Sequence, residues 1–393
     1  MKVTRIESLH CDAGWRNFSY LKISTDAGLV GWSEYNASYG AVGLPAAIDA
    51  LGHRVVGKDP LAIEAVVQEL YAVTRQAAGG VVQEAIGAIE NALLDVKGKA
   101  LGVPVYVLLG GPLRDRLQLY WSHCGTTRLR DAAHCGVKPL KTLKDVEHLG
   151  REVRDRGFTA LKTNLLVFDP GAPRLHMPGF YWGGQGGAPA LNADRALIRS
   201  IRATLEAFRA GAGPEVGILL DLNYNFKTEG YLQVMRALDY LGLFWFELDT
   251  YDPDGLATIR RSVQTPIASC ESLHGMRAFL PYFERRAMDV CIVDEVWNGV
   301  ALAHKIAALA EAYEINVAPH NFYGHLSTLH SAHLCAAIPN FRIMEIDVDD
   351  VPWKDDLVTA VPRIENGYMV LPTGPGWGAD VNEEAVRRHP PKR

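Results

Sequence analysis

Three short apolar runs, GILLDLNYNF, LFWFELDT and PIASCESL, carry a carboxylate near their ends, at Asp221, Glu247 and Glu271. The carboxylates follow one another at nearly equal intervals of roughly 25 residues, the length of a strand plus a returning helix. EGYLQVMRALDYLG and DGLATIRRSV fill those intervals with helical periodicity. Such crossovers join parallel strands, so the three carboxylates are expected at the C-terminal ends of neighbouring parallel strands, where α/β folds gather their chemistry. Three hard oxygen ligands converging there suit Mg²⁺, which takes carboxylates plus water or substrate oxygens.

The pattern extends to both sides. Strands are predicted at LQLYWSH, FTALKTNLL, VGILLDLN, LFWFELD, PIASCES, MDVCIVDEV, INVAPHN and FRIMEID, with helices such as KTLKDVEHLGREVRDR between them. Eight strands alternating with helices favour a closed (β/α) barrel of the TIM type over an open sheet, spanning residues 117–350. Residues 1–116 read differently. VTRIESLHC and FSYLKISTDAGLVGWSEY alternate apolar and polar positions around a turn at Asp26–Gly28, and three helical patterns follow. They describe an α+β capping domain. The segment 351–393, with GYMVLPTGPGWGADV, reads as a strand and loop returning to that domain, and its Pro-Pro-Lys-Arg end is expected to fray.

Two segments leave alternatives open. Residues Asp12 to Asn17 form either an ordinary turn or a lid that brings Trp15 and Arg16 to a site on the barrel. Residues 165–192, rich in Gly, Pro and aromatics and without helical period, form either a lid or a loose excursion. Arg174, His176, Tyr181 and Trp182 are its candidate substrate contacts.

Beyond the three carboxylates, further strand ends are polar. FTALKTNLL bears Lys162 and Asn164, two apart and hence on one side of the strand. MDVCIVDEV carries Asp294, INVAPHN carries His320, and FRIMEID carries Glu345 and Asp347. One such residue is ordinarily a cap or a loop start; seven successive strands of this kind describe a site. Asp294 beside His320 would fix the ring's tautomer and raise its basicity. Asn223, two past Asp221, is either a substrate-hydroxyl contact or a turn residue.

Composition narrows the partners. A net charge of −5 over 393 residues, with no Lys/Arg stripe, gives no footprint for nucleic acid. No apolar run is long enough to span a membrane, and MKVTRIESLHCDAGW lacks the apolar core of a signal peptide. The six cysteines form no CxxC pair and are expected to be reduced and buried, as in the cytoplasm. His325, His330 and His333 lie in a helical stretch, STLHSAHLCAAI, and read as packed rather than metal-binding.

These motifs together resemble the enolase superfamily, and within it the mandelate racemase group of acid-sugar dehydratases and racemases, over nearly the whole chain. The resemblance implies Mg²⁺ ligands at Asp221, Glu247 and Glu271, and an Asp294–His320 dyad. It also implies that Glu345 hydrogen-bonds the developing enediolate. Ala318-Pro319-His320-Asn321 and Pro375-Gly376-Trp377-Gly378 are similar to this group too. One departure matters. The racemase pattern carries Lys-x-Lys on strand two, with the second lysine a base on the other substrate face. Here the run is Lys162-Thr163-Asn164, and Asn164 takes up no proton at neutral pH. The expectation is a one-base dehydratase of a sugar acid (aldonate or aldarate), with His320 the base and Lys162 a carboxylate-binding, charge-balancing cation. The sequence leaves open whether Glu345 or Lys162 stabilises the enediolate. A syn elimination would use His320 again as acid; an anti elimination would need an acid from the insertion or Tyr224. An epimerase or cycloisomerase is the alternative chemistry, and a non-catalytic metal- or ligand-binding barrel the alternative class. The resemblance further implies a homo-oligomer, dimer or octamer.

Overall fold

The computed structural model describes residues 1–38, 40–168, 171–181 and 186–392. The chain opens with an antiparallel sheet of β1 (Val3–Ala13), β2 (Arg16–Thr25) and β3 (Val30–Tyr35). After a register shift between Val3 and Arg5, the β1–β2 ladder runs on through Asp12↔Asn17 to Ala13↔Arg16. The expected six-residue turn is therefore a two-residue hairpin, Gly14–Trp15, which Gly14 closes with φ of 78°. Helices α1 (Leu44–Val55), α2 (Ile63–Val73) and α3 (Gly80–Leu101) follow. Buried from Gln83 to Val96, α3 lies between two layers, and its Glu90, Asn91 and Asp95 accept hydrogen bonds from the elements around it. A Cβ on Gly31 of β3 would meet the Ala92 carbonyl at 2.2 Å, so glycine there lets sheet and helix touch.

The barrel strands are β4 (Arg116–Ser122), β5 (Ala160–Thr163), β8 (Gly217–Asp221), β9 (Trp245–Glu247), β10 (Ile267–Ser269), β11 (Val290–Val293), β12 (Asn316–Pro319) and β13 (Met344–Asp347). Between β5 and β8, the insertion forms the small hairpin of β6 (Leu166–Val167) and β7 (Arg174–Leu175). The barrel strands pair in parallel in the order β4-β5-β8-β9-β10-β11-β12, and β13 pairs back onto β4. A parallel bridge between Val317 and Phe341, with Val317 N–H donating to Asn340 and Arg342 N–H to Val317, closes the ring. Inside it, Tyr120, Ala160, Leu219, Trp245, Ala268, Ile292, Ala318 and Ile343 form a dry plug. Alanines face the large rings, so the layer fills without a void.

The last segment turns back along the barrel. β14 (Ile364–Glu365) and β15 (Tyr368–Val370) form a hairpin whose second strand pairs antiparallel with β4. Trp377 then enters the capping domain, its N–H donating to Asp95 at 2.9 Å and its indole N–H to the Trp32 carbonyl at 2.8 Å. Lys392 lies 3.2 Å from Asp12, and its backbone N–H and carbonyl pair with the Asn17 side-chain amide. The six cysteines are free thiols, all buried except Cys135. Among the described residues no helix is long and apolar enough to cross a membrane.

Candidate active site

Side chains alternate along a strand, so the residue two past each plug residue points the same way, one layer higher. Tyr120 leads to Ser122, Ala160 to Lys162, Leu219 to Asp221, Trp245 to Glu247, Ile292 to Asp294, Ala318 to His320 and Ile343 to Glu345. A polar layer thus sits directly on an apolar one. β10 breaks the rule. Ala268 leads to Cys270, yet Cys270 belongs to the outer core and Glu271 lines the cavity above the barrel. The backbone at Cys270 has φ of 92°, a left-handed conformation rare outside glycine, and this turn brings the next side chain inward.

At the centre Lys162 Nζ lies 2.8 Å from both Glu247 Oε1 and Glu345 Oε1 and 3.9 Å from Asp221. Burial opposes its charge, but these carboxylates hold the ammonium well above its usual range. Glu345 is buried too. Lys162 and then His320 nevertheless hold it down to about 2, and it accepts from the Asn321 N–H at 2.7 Å and from the Ser122 hydroxyl. It is an ionised acceptor. Glu247 also accepts from the Trp245 indole at 2.9 Å.

Asn164 donates to Asp221 at 3.3 Å and to Asn223 at 3.0 Å, and accepts from the Thr126 hydroxyl at 2.7 Å. The Asn223 N–H in turn donates to Asp221 at 2.8 Å. Asp249, two past Glu247, is buried beside Glu271. Among the described residues no three His, Cys, Asp or Glu side chains are drawn together at metal-holding spacing, with Glu247 turned onto Lys162 and Trp245. The donor set nevertheless fits a hard divalent cation. Burial, and then neighbouring carboxylates working against Lys162, push Asp221 up to about 6 and Glu247 up to about 8. Asp249 is also pushed up, by burial and by Glu271. One lysine does not balance this cluster, and a cation among all-oxygen donors would.

Across the cavity His320 Nδ1 lies 2.6 Å from Asp294 Oδ2. Asp294 accepts also from the Tyr323 hydroxyl at 2.7 Å and the Trp297 N–H at 2.9 Å, so its position is fixed by three groups. The other ring nitrogen, Nε2, is 3.6 Å from Glu271 and opens to the cavity. Burial favours the neutral ring, but Glu271 and Asp294 raise it to about 10.

The cavity has a volume of about 650 Å³. Trp15, Lys162, Asn164, Tyr181, Asp221, Asn223, Glu271 and His320 line it, and Glu247, Asp294 and Glu345 support it from below. Three expected contacts, Arg16, Arg174 and His176, lie elsewhere. Arg16 starts β2 beneath the hairpin tip, where Asp350 at 3.0 Å and Asp347 at 3.6 Å take its buried guanidinium. His176 packs its ring on Phe226 at 6.0 Å and borders a separate, smaller cavity with Arg174; burial and Arg174 lower its pKa. Trp182 lies outside the described residues. Met177 and Phe180 of the insertion reach the main cavity instead, and Trp15 spans to it from the capping domain, stacked on Phe322. The loop's aromatic content pointed to these walls without saying which ring faces in. His330 and His333 are buried in helix His325–Ala337, where burial lowers them to about 3 and about 4, and they pack on Trp377.

Two family models match: "Mandelate racemase / muconate lactonizing enzyme, N-terminal domain" over residues 12–110 and "Enolase C-terminal domain-like" over 144–385. The chain belongs to the enolase superfamily. Among relatives of this superfamily, D-galactonate dehydratase of Variovorax paradoxus strain S110 is 28% identical over 411 residues, covering 100% of this chain and 96% of its own. D-xylonate dehydratase of Haloferax volcanii is 29% identical over 405 residues, covering 99% and 89%. A solved structure from Burkholderia xenovorans strain LB400, described as a candidate L-alanine-DL-glutamate epimerase bound to magnesium and fumarate, is 52% identical. It superposes with a TM-score of 0.97, over 100% of this chain and 96% of that one. In the superfamily's terms, the capping domain supplies Trp15 and the barrel supplies every charged group of the polar layer.

Proposed function

We propose that this enzyme is a Mg²⁺-dependent dehydratase that removes the α-proton of a sugar acid, an aldonate or aldarate, and eliminates its β-hydroxyl to give a 2-keto-3-deoxy acid. The observation that carries this reading is the asymmetry of the cavity. An imidazole backed by a buried carboxylate faces it from one side, while Asn164 stands where a second lysine base would be needed. The dehydratase relatives named above support the substrate class.

The α-proton of a carboxylate is weakly acidic because its loss puts more negative charge on an anion. Asp221, Glu247 and Glu271 would hold the metal, which when bound supplies a Lewis acid for the substrate carboxylate. With the Glu271 charge that raises the ring cancelled by a cation held there, His320 Nε2 is neutral and open to the cavity to take the proton, while Asp294 holds the ring through Nδ1 and balances the charge it gains. We assign stabilisation of the enediolate to Lys162, because Glu345 is held ionised and has no proton to donate. Asn164 and the Asn223 backbone N–H fix the Asp221 carboxylate, and both asparagine side chains line the cavity where a substrate hydroxyl would sit.

The name carried by the Burkholderia xenovorans structure supports a second reading, epimerisation at the α-carbon, which shares the enolisation step. An NMR screen of aldonates and aldarates with Mg²⁺ in D₂O separates the two. Keto-acid formation from one configuration class is the expected result. Deuterium at the α-carbon with no keto acid from any member of the panel would replace dehydration with epimerisation.

A further inference from the structure

A second histidine–aspartate pair faces the cavity. His123 follows directly on β4, with φ of 46°, and its ring lines the cavity that His320 lines. His123 Nδ1 lies 2.9 Å from Asp347 Oδ1 at the end of β13. Asp347 is itself held from behind, with Oδ2 3.6 Å from the buried Arg16 guanidinium. Asp294 is likewise held from behind against His320. His123 is 20% exposed, and among the described residues its Nε2 makes no hydrogen bond. β13 lies between β12 and β4, so the two histidines flank the strand that carries Glu345. The Phe322 ring touches both imidazoles, with centroids 5.8 Å from His123 and 4.9 Å from His320. Of the other proton-bearing groups at the wall, His274 has its Nε2 turned onto Glu84 at 3.3 Å, and burial and Asp249 push the Tyr224 phenol far up. A cavity with one base for the α-proton therefore holds a second, separately oriented imidazole.

We propose that His123 is the general acid that protonates the departing β-hydroxyl, an assignment that rests on the dehydratase reading. His320 Nε2 takes the α-proton, and the electron pair of that C–H bond enters the enediolate. The enediolate pair then forms the Cα–Cβ double bond as the β C–O bond breaks, and the C–O pair leaves with the oxygen. That oxygen takes the proton from His123 Nε2 and departs as water. The resulting enol tautomerises to the ketone with a solvent proton, while His320 releases its proton and His123 regains one. Asp347 acts as a positioning residue that fixes which ring nitrogen faces the substrate.

The test compares wild type with His123→Asn and His123→Gln on an acid the wild type dehydrates. Three rates are followed: keto-acid formation, α-deuterium exchange, and fluoride release from the analogue with fluorine in place of the β-hydroxyl. Loss of a general acid lowers dehydration by at least about 100-fold, while α-exchange stays within a few-fold. Fluoride release stays near wild type, because fluoride leaves without a proton. Wild type gives a second measurement that needs no variant: a solvent deuterium isotope effect on dehydration that vanishes for fluoride loss. Variants that dehydrate at wild-type rate, lose all three rates equally or change only KM would overturn the assignment. An equal isotope effect on both substrates would do the same. A wild type that forms no keto acid from any sugar acid overturns the dehydratase reading, and the acid role with it.

Discussion

His320 has one ring nitrogen spent on a buried carboxylate and the other opening to the cavity, so its substitution separates proton transfer from metal binding. Asparagine at 320 keeps a donor for Asp294 but takes up no proton. His320→Asn should lower α-proton exchange by at least about 100-fold and leave the Mg²⁺ affinity measured by calorimetry within a few-fold. Retained exchange would move the base elsewhere, first to His123. Lys162, Asp221, Glu247, Asp294, His320 and Glu345 were legible because each ends an apolar run and obeys a period of two; Ser122 was not read from the sequence, and Glu271 keeps to no such period. Arg16 was not. Its partner Asp350 lies 334 residues away in sequence, so a guanidinium beside a tryptophan read as a ligand contact. His123 was missed for the same reason: WSHCG reads as a strand running into a turn until barrel closure sets Asp347 beside it.

Helices show how the capping domain is locked to the barrel. Glu34 of β3 accepts from the Gly324 and Ser327 N–H groups at 2.7 and 2.9 Å, capping helix His325–Ala337. Glu90 of α3 accepts from Ala301 at 3.0 Å and Leu302 at 3.4 Å, capping helix Val300–Ala312. These helices follow β12 and β11, the strands that present His320 and Asp294. Two carboxylates of one domain thus complete the first turns of the two helices behind the dyad. Burial raises Glu90 from 4.5 to about 7, its hydrogen bonds offsetting only part of the cost. The folded state therefore binds this proton more tightly than the unfolded chain. Its stabilisation is present below pH 4.5 and is lost as pH rises through about 7. The loss is about 3 kcal/mol. Glu90→Gln removes the titration, so urea stability between pH 5 and 8 should vary less than in wild type by about that amount. An unchanged pH slope would mean that Glu90 does not titrate in this window. Sequence patterns located α3 at the domain junction; which carboxylates cap which helices depends on tertiary docking that no local pattern encodes.

At the scale of the whole molecule, the eight strands, the capping sheet and the returning C-terminal segment were readable because each obeys its own periodicity. The insertion was readable only as an exception, since its walls are set by which of its aromatic rings find apolar partners across the cavity. The returning segment carries more than its short strands suggest. Trp377 is wholly buried among His330, His333 and the capping sheet, and its two N–H groups bind Asp95 and the Trp32 carbonyl. Asp95 also accepts from the Trp32 N–H at 2.8 Å and from Lys99 at 2.6 Å, so one carboxylate joins β3, α3 and the C-terminal loop. The barrel and the capping domain therefore share one core, and Trp377 is part of it. Trp377→Ala should cost about 3–5 kcal/mol, the usual penalty for deleting a large buried aromatic. Because the core is shared, urea denaturation followed by tryptophan fluorescence and by far-UV circular dichroism should show one coincident transition at lower midpoint. Two separated transitions would mean that the domains fold independently and that the tryptophan only decorates their junction.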